Sequence, residues 1–147
     1  MIHQGRTVAS LRFFGETLDP DEITRLLGKL PSDAERKGDV VGPRKNRVAR
    51  QGSWRLNAVD REPGDLAAQV DEILAGTTTD LAIWKQLAQT HQVDLFCGVF
   101  LTSSNEEVRV APAALSKLGE RDIQLSLDIY AAVEECDDGG STEENGT

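Results

Sequence analysis

The run Gln92-Val93-Asp94-Leu95-Phe96-Cys97-Gly98-Val99-Phe100-Leu101 is the most apolar stretch of the chain and constrains its fold more than any other. β-Branched and aromatic residues fill it, and Thr102-Ser103-Ser104-Asn105 closes it. A bounded apolar run of this length predicts a central strand buried on both faces. Its single charge, Asp94, falls near the start, where a sheet meets its loops.

The segments on either side supply the partners such a strand needs. Thr7 to Phe14 alternates, with Leu11 and Phe13 facing the core, and Gly15 ends that strand. A short helix follows. Asp19 caps it, Pro20 takes its first position, Asp21 and Glu22 suit its positive end, and Gly28 stops it. Residues 31–51 hold Gly38, Gly42, Pro43 and the run Arg44-Lys45-Asn46-Arg47. This composition predicts a long loop, with a short edge strand near Val48. Ser53 to Ala58 alternates again and turns Trp54 inward, leaving Ser53, Arg55 and Asn57 on the other face.

Asp65 caps a helix over 66–75, and Thr79 or Asp80 caps a second through Gln89 that places Trp84 in the core. After the apolar run, Glu106 to Val110 predicts a short strand hairpin-paired to it. Residues 111–119 predict a helix with Pro112 near its start. From Asp122 to Tyr130 the alternation is strict, and Ile123, Leu125, Leu127 and Ile129 share one half-buried face. Residues 18–28 and 110–119 echo one another, each with proline at a helix start and glycine about one helix later. The fold class is therefore α+β: an antiparallel or mixed sheet with helices mainly on one face, either ferredoxin-like or built from doubled βαβ-type halves. Residues 1–131 form one domain, and 132–147 are an acidic tail too poor in apolar side chains to order itself.

The pieces Ser10-Leu11-Arg12-Phe13-Phe14-Gly15, Leu18-Asp19-Pro20-Asp21-Glu22-Ile23, Lys37-Gly38-Asp39, Gly52-Ser53-Trp54-Arg55-Leu56, Val93-Asp94-Leu95-Phe96-Cys97-Gly98 and Leu125-Ser126-Leu127-Asp128-Ile129-Tyr130 come in a characteristic order. In that order the chain resembles the bacterial domain-of-unknown-function 4279 family over nearly its whole body. The resemblance implies a small bacterial cytoplasmic α+β domain and brings no catalytic residues to carry over. Some small families of this kind are similar to toxin-neutralising immunity proteins.

Charge narrows the function classes. Of the nine net negative charges, six sit on the tail, and the remaining body is only mildly acidic. Within the body, residues 29–61 carry nine basic side chains against four acidic ones. Overall acidity argues against nucleic acid as a partner. No apolar run approaches the ~20 residues that span a bilayer, and the start has no secretory apolar region, so a cytoplasmic location and no membrane contact are expected. Two cysteines, Cys97 in a strand and Cys136 in the tail, are poorly placed for a disulfide. Cys97 reads as a small core residue rather than a nucleophile, since His91 is the nearer of only two histidines and lies six residues away at a loop. Asp19, Asp21 and Glu22 read as helix-start residues rather than metal ligands. No cofactor is expected.

The best candidate site is the basic loop with its neighbouring strand: Arg36, Lys37, Arg44, Lys45, Arg47 and Arg55. Several cations on a flexible backbone can hold phosphate, carboxylate or an acidic protein face. The glycine and lysine spacing of nucleotide-binding loops is missing. No catalytic constellation assembles. The expectation is a protein-interaction module, immunity-like in kind, with an unidentified protein partner. The rival is a domain or enzyme for a small phosphorylated or carboxylate ligand. The chain is expected to be a monomer, or a homodimer paired through an edge near 107–110 or Val48.

Overall fold

Residues 5–132 are described in a computed structural model of the chain. The strands are β1 (Thr7–Gly15), β2 (Asp33–Glu35), β3 (Val40–Val41), β4 (Arg47–Val48), β5 (Gly52–Asn57), β6 (Gln92–Phe100) and β7 (Gln124–Tyr130). The helices are α1 (Pro20–Leu27), α2 (Leu66–Leu74), α3 (Leu81–Thr90) and α4 (Pro112–Gly119). Helix starts follow the capping logic of the sequence. The Asp19, Asp65 and Asp80 carboxylates accept from the backbone N–H groups of Asp21, Ala68 and Ala82. Gly28 closes α1 in the left-handed conformation, where a Cβ would be strained.

Five strands form one sheet in the order β2-β5-β1-β6-β7, and β3 and β4 form a separate two-stranded hairpin. Within the sheet, β1 pairs antiparallel with both β5 and β6, and β2 pairs antiparallel with β5. Taken as β1-α1-β2-β5-α2/α3-β6, this is the ferredoxin-like βαββαβ arrangement. Two additions are made to it. The β3–β4 hairpin is inserted between β2 and β5, and α4 carries the chain across to β7, which lies parallel to β6.

All four helices pack on one face of the sheet. Ala9, Leu11 and Phe13 of β1, Trp54 and Leu56 of β5, and Val93, Leu95, Cys97 and Val99 of β6 join Ile23, Leu27, Val70, Ile73, Trp84, Leu87, Ala114 and Leu118 of the helices in a single core. Phe13 sits between the two tryptophans, edge-on to Trp54 at 5.5 Å and stacked on Trp84 at 6.2 Å. Both indole N–H groups are satisfied, Trp54 on the Thr24 hydroxyl and Trp84 on the Thr78 carbonyl.

Four expectations are corrected. The apolar run is an interior strand, but β1 is the middle one, and the side chains that β6 buries fully are Val93, Leu95, Cys97 and Val99 on one face, with only Gly98 buried on the other. Asp94, Phe96 and Phe100 are half-exposed on the helix-free face. Residues 31–51 are not one long loop: Asp33–Glu35 extends the main sheet, and the strand at Val48 pairs with β3 rather than lying on the sheet's edge. No strand forms at 106–110, because the place beside β6 is taken by β7. Instead Glu106 folds back to accept from the Thr102 hydroxyl and the Ser103 N–H, tying off the turn. Finally, the alternation of β7 is real but half-buried only at its start, for Leu127 and Ile129 are exposed. All but the first residue of the tail expected to be disordered lies outside the described residues.

Candidate functional site

The helix-free face of the sheet presents the outward-turning residues of each strand. By register these are Arg12 and Phe14 of β1, Ser53, Arg55 and Asn57 of β5, Asp94, Phe96 and Phe100 of β6, and Ser126, Asp128 and Tyr130 of β7. The alternation that buries Trp54 is thus what sends Arg55 to this side.

At the β5 end of the face, the inserted hairpin stands off the sheet and leaves a groove of about 1040 Å³. Lys37, Arg47, Arg50 and Arg55 line it together with Phe14, Glu35 and Ser53. Lys37 reaches Glu16 at 3.0 Å and Arg47 reaches Glu35 at 3.2 Å, both as solvent-exposed pairs. Such pairs hold their partners weakly. Among the described residues, Arg50 and Arg55 make no ion pair. The Arg55 guanidinium lies 5.5 Å from the centre of the Phe14 ring.

Three of the six predicted cations, Lys37, Arg47 and Arg55, therefore share one groove. Arg36 points elsewhere: it forms ion pairs with Asp19 at 2.8 Å and Asp21 at 2.6 Å and clamps the start of α1 to the loop. Arg44 and Lys45 sit in the turn of the hairpin, outside the groove lining. Sequence reasoning passed over Arg50 and Phe14. Arg50 was counted in the basic segment without being singled out, and Phe14 has the opposite parity to Leu11 and Phe13, which marks it as outward-facing.

A second cleft, about 460 Å³, lies on the other side of Phe14 and is lined by Arg12, His91, Asp94, Asp122 and Gln124 among others. Two of its charges, Arg12 and Asp94, are matched to each other. Arg12 meets Asp94 through two parallel bonds of 2.9 and 2.8 Å, and Ser126 donates to the same carboxylate at 2.8 Å. The Arg12 guanidinium also lies over Phe96 at 4.3 Å and beside Phe14 at 5.1 Å. Asp94 is thus committed to Arg12 and Ser126.

Among the described residues, Cys97 and His91 are the nearest thiol and imidazole to these two clefts. Burial, with the negative charge of Asp94 adding to it, pushes the Cys97 thiol up to about 12, so its reactive thiolate is suppressed at neutral pH. Burial also lowers the proton affinity of His91, against the opposing pull of Glu22. Its Nδ1 is enclosed without a partner, and a side chain at Gly15 would meet that atom at 2.5 Å. No three of His, Cys, Asp and Glu come together as a metal site among the described residues. None of the helices described is long and apolar enough to cross a membrane.

The comparisons with known proteins add one match. The family described as Domain of unknown function (DUF4279) matches residues 3–132. No curated protein and no solved structure matches the chain.

Proposed function

The chain belongs to the DUF4279 family, and from that premise we propose that it is a non-catalytic binding module that takes an acidic segment of a protein partner into the groove between hairpin and sheet. One observation carries this reading: Arg50 and Arg55 line an open groove with no carboxylate paired to either among the described residues, beside the exposed pairs of Lys37 and Arg47. Unpaired guanidinium groups are ready donors for carboxylates, and the exposed pairs can exchange partners at small cost. The groove is open to solvent, which suits an extended chain better than an enclosed small molecule. An immunity-like role would be one case of such binding. A cytoplasmic setting is consistent with the reading, since the buried free thiol of Cys97 has no need of an oxidising compartment.

A second reading has its own support. Phe14 offers an apolar floor beside Arg55, which suits a small phosphorylated or carboxylate ligand with a flat apolar part. One experiment separates the two. A fluorescent Glu/Asp-rich peptide is titrated by anisotropy, and pyrophosphate by calorimetry, against the unaltered chain, an Arg50→Ala/Arg55→Ala variant and an Arg44→Ala/Lys45→Ala variant. The expected result is peptide binding that weakens with added salt, falls about tenfold or more in the first variant and changes little in the second. Pyrophosphate binding with no peptide binding would transfer the groove to the small-ligand reading. Failure of both probes, or binding indifferent to Arg50 and Arg55, would overturn the assignment of this groove.

A further inference from the structure

The two edges of the sheet are built differently. At one end, β2 is only three residues long and carries Asp33 and Glu35. Short length and charge are ordinary ways of blunting an edge. At the other end, β7 runs seven residues, Gln124 to Tyr130, with no proline, lysine or arginine and an unbroken register along β6.

Its free side can be read from one bond. The Tyr130 carbonyl accepts from the Leu101 N–H at 3.0 Å, so the backbone of Tyr130 faces β6. Successive residues of a strand alternate, so Asp128 and Ser126 face β6 as well, and the backbone groups of Leu125, Leu127 and Ile129 face the open edge. The side chains add to this. Leu127 and Ile129 continue the rows of Cys97 and Val99, which are 0% and 1% exposed, yet are themselves 45% and 59% exposed. On α4, which packs over β7, Leu115 is 46% exposed.

We propose that β7 is a docking edge for a second copy of this chain, paired antiparallel about Leu127. The strand is its own complement in that register. Leu127 meets Leu127, Leu125 meets Ile129, Ser126 meets Asp128, and Gln124 meets Tyr130. Apolar side chains thus oppose apolar ones on the helix side, and on the open side a hydroxyl and an amide meet a carboxylate and a phenol. Because Leu127 turns its backbone outward, the pairs at Leu127 and at Leu125–Ile129 are of the hydrogen-bonded kind and supply about six bonds. Moving the centre to Asp128 would set two carboxylates opposite each other, which disfavours that register. A two-fold axis through Leu127 joins two five-stranded sheets into one continuous sheet.

The test uses the full chain. Sedimentation velocity from about 5 to about 200 µM is expected to show a monomer–dimer equilibrium. Leu127→Lys/Ile129→Lys is expected to weaken the dimer at least tenfold while keeping an unchanged circular dichroism spectrum, because both positions are exposed. In a Cys136→Ser background, Leu127→Cys is expected to give a cross-linked dimer with a short bis-maleimide, whereas Lys85→Cys on α3 gives none. A chain monomeric throughout the range overturns the proposal, as does a dimer that the lysine variant leaves intact. Dimerisation that is absent in the full chain and appears once residues 133–147 are removed also overturns it, and assigns the edge to the chain's own C-terminal segment.

Discussion

Gln69 is wholly buried, yet each polar atom of its amide is used. The carbonyl oxygen accepts from the Thr7 hydroxyl at 2.8 Å, and the Nε2 group donates to the backbone carbonyls of Thr7 at 2.9 Å and Val59 at 3.0 Å. Thr7 Oγ1 in turn accepts from the Asp65 N–H. One side chain therefore ties the start of β1 to α2 and to the connection leading into it. Gln69→Leu fills the same space but strands the Val59 carbonyl and leaves the Thr7 hydroxyl proton without an acceptor in the interior, while the Thr7 carbonyl keeps the Arg61 N–H at 3.0 Å. We expect a loss of about 2–4 kcal/mol, read as a lower urea midpoint with little change in slope. The core places of Leu11, Phe13, Trp54, Trp84 and Cys97 were legible from parity and helical spacing. Gln69 was not, for a glutamine three residues after Leu66 looks like a boundary residue until the strand beneath it is known.

Among the elements, α2 shows how far the basic segment is structural. No side chain of its own last turn is basic, and the ammonium of Lys29 reaches across to the carbonyls of Glu72, Ile73 and Ala75 at 2.7–3.2 Å. A cation at a helix C-terminus satisfies unpaired carbonyls and opposes the dipole. Lys29→Met is expected to lower stability by about 1–2 kcal/mol, measured by thermal unfolding, and to leave groove binding unchanged. The aspartate caps of α1, α2 and α3 could be read from the sequence because each cap is a local bond. The edge strand β2 could not, since Asp33-Ala34-Glu35 has no apolar alternation and is recruited by the backbone of β5. For the same reason the candidate site was only half legible. Which cations of the 29–61 segment share a groove depends on where an inserted hairpin stands, and that is a long-range fact.

At the scale of the whole molecule, His91 stands where α3 ends, β6 begins and Gly15 of β1 closes in, with Glu22 of α1 nearby. Burial lowers its pKa below 6.5. The unfolded chain therefore takes up this proton more readily than the folded one, and the stability linked to His91 is lost as pH falls from above 6.5 through the lower folded value. We expect Tm to fall between about pH 7.5 and pH 5, and to fall less in His91→Gln, with the difference between the two profiles reporting His91 apart from the carboxylates. The contrast between the sheet's ends has a consequence at this scale too. A chain with one adhesive end and one blunt end has a valency of one: after a single pairing nothing is left on which a ribbon could grow. The short acidic strand Asp33–Glu35 is thus what would keep association finite, and lengthening it with apolar residues is the change that would turn a pair into a fibre.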